Sequence, residues 1–394
     1  METVCKTFKY RVYPTAEQDA ILAQTTGLCN WLYNTALEQR RYVWCTRRKR
    51  VSYYDQKAEL PGLKAAIPAF ATVHSQVLQD VMKRVDTAYQ RFVEGLKTKR
   101  KVGDPRFKAA TPYHSFTYPH YDNGVTILET GVLRLSKIGD VTVAWSRPIE
   151  GTIKTVTLVR DAGAWYVCFS CEAVPCQPRT PTGKAVGIDL GLKVFLMTDQ
   201  GDTITNPRYY RKAQKRLKKC QQDVARRPKR ANGTNGENRK QSVLKLQRAH
   251  QEIARQRTDM HHTTARWLVE NYDIICVEIL RVAAMARNRH LSKSIYDAAW
   301  AAFLAILTFK AESAGVLVVR VPAAYTTQTC SNMLPNGQMG GTSVKKSLSV
   351  RTHSCPSCGY IADRDHNAAR TIKHEGLSYR RADGNELGAT LANA

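Results

Sequence analysis

The chain has 394 residues, 60 of them Lys or Arg and 33 Asp or Glu, a formal net charge of +27. At about 150 residues per domain this length calls for two or three folded units, and a hydrophobic fraction of 43% excludes global disorder. So large a basic excess points to a polyanionic partner, since membrane binding would need anchor or insertion signals that the sequence lacks.

In chain order, a strand is expected over residues 8–13, and Pro14-Thr15 opens a helix through Leu22, Leu28, Leu32 and Leu37. A second helix over 74–96 carries Val77, Val81, Val85, Ala88 and Phe92 at helical spacing. Basic clusters lie beside these elements: Arg47, Arg48, Lys49 and Arg50, then Lys97, Lys99, Arg100 and Lys101. Residues 115–173 alternate in short runs with an Asn123-Gly124 turn, the pattern of a small antiparallel sheet or barrel. A Pro-rich connector over 175–181 marks a domain boundary.

Two apolar strands, 184–189 and 193–199, follow around a Gly turn. Residues 205–260 then hold 17 Lys or Arg against 4 Asp or Glu. Within them Tyr210, Ala213, Leu217, Cys220 and Val224 recur at threes and fours, as do Val243, Leu246, His250, Ile253 and Met260. This predicts a helical hairpin with a narrow apolar seam and a phosphate-facing exterior. A strand over 273–278, a helix over 294–313 and a strand over 316–321 come next. The uncharged run between Asp297 and Lys310 is twelve residues, short of the roughly 20 that cross a bilayer. A cysteine-bearing segment, a short helix and a disordered tail from 376 end the chain. The start has no signal-peptide core, and the eleven cysteines are odd in number and mostly scattered. Both observations place the expected location in a reducing cytoplasm.

Three acids carry the chemistry. Asp189 ends a strand in Gly187-Ile188-Asp189-Leu190-Gly191, Glu278 ends another in Ile274-Ile275-Cys276-Val277-Glu278, and Asp365 opens a helix in Asp363-Arg364-Asp365-His366-Asn367. Carboxylates gathered at strand ends can hold two Mg²⁺ ions about 4 Å apart, the arrangement that cleaves phosphodiesters. Each acid alone is equally an ordinary turn residue. The Gly-Ile-Asp-Leu-Gly run also resembles the phosphate turn of actin-like ATPases, but Leu192 and Lys193 stand where those continue with hydroxyl residues.

Cys355 and Cys358 form a Cys-x-x-Cys knuckle, and Cys330 lies 25 residues upstream, three thiolates suited to Zn²⁺. Met333 stands where a fourth cysteine is wanted, and thioether is a poor Zn²⁺ ligand, so the fourth position is open with His353 the nearest substitute. A second spacing of this kind, Cys168 and Cys171, falls in a strand, where residues three apart face opposite ways. His261-His262 diverge by about 100° on a helix and read as packing or phosphate contact.

The whole order, from Tyr10-Arg11-Val12-Tyr13-Pro14-Thr15 to about Ile372, resembles the TnpB (OrfB) family of transposon-encoded RNA-guided DNA endonucleases, relatives of the type V CRISPR effectors. Its most specific stretch here is Thr329-Cys330-Ser331, Leu348-Ser349-Val350-Arg351, Cys355 to Gly359, and Asp365-His366-Asn367-Ala368-Ala369. The resemblance implies a multidomain α+β protein. A helical bundle over 14–110 would be inserted in a wedge-like β-barrel of residues 1–13 and 111–180. An RNase H-like (RuvC) nuclease of residues 183–325 and 361–375 would follow. That domain would carry a basic hairpin over 205–270 and a zinc-ribbon-like insertion over 326–360.

It further implies Asp189, Glu278 and Asp365 as catalytic Mg²⁺ ligands and Cys330, Cys355 and Cys358 as an incomplete Zn²⁺ set. Met333 and the inserted-looking residues 334–342 depart from the family pattern. The implied partners are a guide RNA from the transposon end and a DNA duplex with a short adjacent motif, met by a monomer. Arg47, Arg48, Lys49, Arg50, Lys99, Arg100, Arg211, Lys215, Arg226 and Arg227 would contact phosphates, with Tyr42, Tyr53 and Tyr54 available for stacking. A guided binder or repressor without cleavage is the alternative, and a strand-transfer transposase a third reading.

Overall fold

In the first strand, Thr3–Tyr13, Val4, Phe8, Tyr10 and Val12 are buried while Lys9, Arg11 and Tyr13 face outward. The computed structural model describes residues 3–98, 102–109, 113–227, 236–323, 326–332 and 350–382. The chain divides into Thr3–Pro175 and a unit from Cys176 onward.

The first strand is central in a seven-stranded antiparallel sheet ordered Ser115–Tyr118, Thr152–Asp161, Ala164–Pro175, Thr3–Tyr13, Gly139–Ala144, Leu133–Leu135 and Val125–Ile127. Together these strands make a nearly closed barrel. Phe8, Phe116, Trp165 and Phe169 fill its interior. Helix Ala16–Arg47 starts at Thr15 with a capping box, the Gln18 amide donating to Thr15 Oγ1 at 3.2 Å and the Thr15 amide to Gln18 Oε1 at 3.0 Å. It packs on helix Ser75–Lys97. Helices Tyr53–Ala58 and Leu60–Ala66 between them were not anticipated, because six or seven residues carry too few turns to show a period. Buried Arg40 ties the first of them to helix Ser75–Lys97, donating to Gln56 Oε1 at 2.9 Å and Asp86 Oδ1 at 3.1 Å.

The second unit holds a five-stranded sheet ordered Thr203–Thr205, Val194–Thr198, Ala185–Leu190, Ile274–Glu278 and Leu317–Val321. Its first three strands in sequence are antiparallel and the last two run parallel to Ala185–Leu190 and to each other. Alternation gives each face its own cover. Val186, Ile188, Leu190, Ile275 and Val277 share a core with Ala265, Leu268, Trp300, Phe303 and Leu307 of two helices, Glu237–Asn271 and Trp300–Ala314. On the opposite face Cys276, Val319 and Val321 pack with Ile372 of the terminal helix, Arg364–Ala382.

That helix corrects the expected tail, because it continues through Gly376. A Cβ there would lie 2.4 Å from Cys276 Sγ, so glycine is what lets the helix press onto the strand. Residues 383–394 of the expected tail lie outside the described residues. The uncharged run is interrupted by Ala299 at φ 52°, leaving Trp300–Ala314 as a helix of about 22 Å, whose Trp300, Phe303, Leu307 and Ala311 are buried in the core.

The hairpin pairs Tyr209–Ala225 with Glu237–Asn271. Its seam is Leu217, Ala249 and Ile253, flanked by Tyr209, Tyr210, Ala213 and Leu246. His250, expected in the seam, is exposed and Ala249 takes its place, since 246, 249 and 253 keep the three–four spacing.

Candidate active site

Gly187 and Asp189 alternate onto the face covered by the terminal helix, and so do Cys276 and Glu278 on the neighbouring parallel strand. Ile188 and Val277 are register partners, so Asp189 and Glu278 stand side by side at the strands' C-terminal ends. Asp365 occupies the first turn of the terminal helix. Neighbouring Asp363 serves as the cap, its Oδ1 accepting from the Asp365 amide at 2.8 Å and the His366 amide at 3.2 Å.

The terminal helix is pinned to the sheet by Asp199. One carboxylate oxygen accepts from the Gly187 amide at 2.9 Å, the other from Lys373 Nζ at 2.7 Å, and its main-chain carbonyl lies 2.9 Å from His366 Nε2. A Cβ on Gly187 would lie 2.1 Å from the Ala369 carbonyl oxygen. Glycine therefore permits the contact that brings Asp365 over Asp189.

Burial raises the Asp189 carboxyl well above the ordinary carboxylate range, and the charges of Glu278 and Asp365 push it further, against Arg364. Burial also raises Glu278, opposed by a hydrogen bond from the Thr326 hydroxyl. A buried carboxyl crowded by two other acids remains short of positive charge even with Arg364 near it, and a divalent cation fits that donor set. Arg351 Nη1 approaches Asp365 Oδ1 to 3.5 Å.

No local sequence pattern assigns a role to Arg351, Thr326, Asp363, Asp199 or Asn367. Four of them lie in or beside the acid and cysteine motifs, but only the folded chain joins Thr326, Arg351 and Asp363 to the acids, and Asn367 and Asp199 to the segments around them.

Cys330, Cys355 and Cys358 converge, with their sulfur atoms within 4.8 Å of one another and the Cys330 and Cys358 sulfurs 3.6 Å apart. Zn–S bonds of about 2.3 Å in a tetrahedron put sulfurs about 3.8 Å apart, so the three thiols fit a zinc site. Burial raises the Cys330 thiol to about 11. Cys355 is lowered: burial works against this, but the amides of Cys358 and Ser357 donate toward its sulfur and favour thiolate. His353 is fully buried with its ring 6.3 Å from that of Tyr360, and it is not part of the cysteine group. Met333 and residues 334–342 lie outside the described residues.

Comparison with known proteins extends the geometry. A family model described as a probable transposase (OrfB, IS605) matches residues 157–289, a Cas12f1-like TNB domain matches 300–372, and a helix-turn-helix domain matches 1–49. A Streptomyces pristinaespiralis protein provisionally named as an RNA-guided DNA endonuclease is 34% identical, over 96% of this chain and 91% of its own. The chain belongs to the TnpB (OrfB) family. Escherichia coli K12 InsQ, provisionally given the same name, is 28% identical over 93% of this chain and 90% of its own. A cryo-EM structure of a Cas12f1–sgRNA–target DNA complex has a chain covering 94% of this one, with 99% of its own length matched. It aligns with a TM-score of 0.55 at 13% identity, a likeness of fold alone.

Within this TnpB-family chain the expected phosphate contacts fall on exposed side chains. Arg47 ends the first long helix, Arg48 follows at φ 51°, and Lys49 and Arg50 continue exposed. Tyr54 is exposed and Tyr42 likewise, whereas Tyr53 is half-buried with Lys83 Nζ 5.3 Å from its ring. Arg211, Lys215 and Arg226 are exposed on the hairpin. Arg227 is also engaged internally, bonded to the Asn238 carbonyl at 3.0 Å and to Ser242, and so helps clasp the two helices. Lys99 and Arg100 lie outside the described residues.

Cys168 is half-buried and Cys171 buried on one strand, three residues apart and on opposite faces. His261 is buried, hydrogen-bonded to the Ala298 carbonyl at 3.1 Å and stacked on Phe195, and burial lowers it to about 4. It is a neutral packing residue.

Proposed function

We propose that this TnpB-family protein is an RNA-guided DNA endonuclease that hydrolyses guide-complementary DNA beside a short adjacent motif. The observation that carries this reading is the convergence of Asp189, Glu278 and Asp365 on one sheet face. Three antiparallel strands followed by two parallel ones, with acids at the parallel ends, support an RNase H-like, RuvC-type nuclease domain. Asp189, Glu278 and Asp365 would hold Mg²⁺, two ions in the RuvC manner. Bound Mg²⁺ supplies an activated water and stabilises charge on the leaving oxygen. The protein's part is to present three acceptors at fixed positions, on two strands and one pinned helix.

The guide would be a noncoding RNA from the transposon end and the target a DNA duplex, with the protein acting as a monomer in the bacterial cytoplasm. The barrel and helices of the first unit would hold RNA and the motif duplex, and the basic hairpin would lie along the guide–target heteroduplex. Cys330, Cys355 and Cys358 would bind one structural Zn²⁺ in a ribbon-like insertion. Because Met333 offers no good fourth ligand, Met333→Cys is expected to raise zinc retention under chelator challenge, read by elemental analysis. Unchanged retention would mean another group already fills that position.

The raised carboxyls make a pH prediction. An acid raised in the folded state adds stability below its unfolded value and loses it as pH rises through the folded value. Without Mg²⁺, wild type should therefore lose melting temperature relative to Asp189→Asn as pH rises above the ordinary carboxylate range. Mg²⁺ should restore wild type at the higher pH and leave Asp189→Asn nearly unmoved. Parallel pH curves for the two proteins would refute a shared acid site.

The deciding experiment expresses the chain with the DNA flanking its gene and purifies the ribonucleoprotein. The ribonucleoprotein is then offered a plasmid library randomised beside a guide-matched target. Mg²⁺-dependent cutting next to one recovered motif supports the reading, and RNA-dependent binding without cutting replaces it with a guided binder.

A further inference from the structure

The cysteine-bearing segment is tied to the acid cluster at two points. Thr326 is 1% exposed and its hydroxyl donates to Glu278 Oε1. Asn367, fully buried and two residues beyond Asp365, clamps the main chain on either side of Cys330. Its Nδ2 donates to the Thr329 carbonyl at 2.8 Å, and its Oδ1 accepts from the Ser331 amide at 3.0 Å. Between those anchors the Cys330 sulfur turns toward Cys358. Three residues therefore separate a group on the Glu278 carboxylate from a group in the thiolate cluster, and both ends are held.

Glutamate's terminal torsion is soft, so strand position alone does not fix where its two oxygens point. A hydroxyl donated to one oxygen restrains that torsion and leaves the other oxygen open as an acceptor. Thr326 can do this only while residues 326–331 hold their course. That course depends on Asn367 and on what holds Cys330.

We propose that Thr326 is a positioning residue for Glu278, and that metal at the three cysteines sets the geometry of the acid site through residues 326–331. The inference rests on the acids being the Mg²⁺ site and deepens that reading by giving the cysteine cluster a role in it. Partners that orient metal ligands typically change metal affinity 10–100-fold when removed.

The test measures Mn²⁺ binding to the purified full chain, by EPR of free Mn²⁺, with zinc content determined by elemental analysis. Thr326→Val should weaken Mn²⁺ binding about tenfold, whereas Thr326→Ser, which keeps the donor, should stay within about twofold of wild type. Wild type stripped of zinc and dialysed free of chelator should bind Mn²⁺ as weakly as Thr326→Val. Stripping the valine variant should weaken it no further. Should the valine variant not fold, the serine variant and the stripped wild type still decide the matter. A folded serine variant that loses Mn²⁺ affinity, or stripping that leaves wild type unchanged, overturns the inference. If Asp189→Ala binds Mn²⁺ as wild type does, the acid site itself is wrong and the inference falls with it.

Discussion

Asp189→Ala should reduce Mg²⁺-dependent DNA cleavage by about 10³-fold or more while leaving guide-RNA binding within about twofold of wild type. Such a loss corresponds to about 4 kcal/mol of transition-state stabilisation, the scale expected when a ligand of a catalytic metal is removed. RNA binding should survive because Asp189 is 9% exposed and a carboxyl offers no cation to a phosphate. Its removal also relieves the crowding that raises this carboxyl, so the folded protein should melt no lower than wild type. The measurement is single-turnover cleavage beside RNA titration on the same preparation. Equal cutting by the variant would overturn the acid site, and joint loss of RNA binding and cutting would mean that Asp189 acts through the fold.

Gly187→Ala should be the most destabilising single-methyl change in the second unit. The added Cβ would meet the Ala369 carbonyl oxygen at 2.1 Å and the Lys373 amide nitrogen at 2.6 Å. Both are main-chain atoms, so no side-chain rotation can relieve the contact and the terminal helix itself must move. Overpacking in a core costs about 1–3 kcal/mol, and a backbone obstacle puts this case at about 3 or above. For a unit of this size that is a fall of about 6–12 °C in melting temperature. The shift also carries Asp365 away from Asp189, so cleavage should fall more than stability alone explains. Normal melting with normal cutting would show that the helix does not sit as described.

Much of this was legible in the sequence because it is written locally. Apolar runs marked the strands that carry Asp189 and Glu278, the three–four spacing around Leu217 and around Leu246 and Ile253 marked the hairpin, and two cysteines three apart marked the knuckle. Composition alone indicated the polyanion. Each of these signals lies within a few turns of chain, where backbone geometry dictates a period.

What the tertiary structure decided lies between segments far apart. Lys373 meets Asp199 across 174 positions, Thr326 meets Glu278 across 48, and Asn367 meets Ser331 across 36. No periodicity links such residues, because their meeting depends on which face the terminal helix covers. That choice turned on two glycines. Gly187 let the helix approach the strand, and Gly376, which reads locally as a helix breaker, proved a contact that carries the helix onward. A missing side chain weakens a helix by itself yet permits close packing against a neighbour. The sequence by itself therefore determined which acids and thiols the chain has and on which elements they lie. Packing alone determined that they converge, and which buried hydroxyl, amide and ammonium groups hold them there.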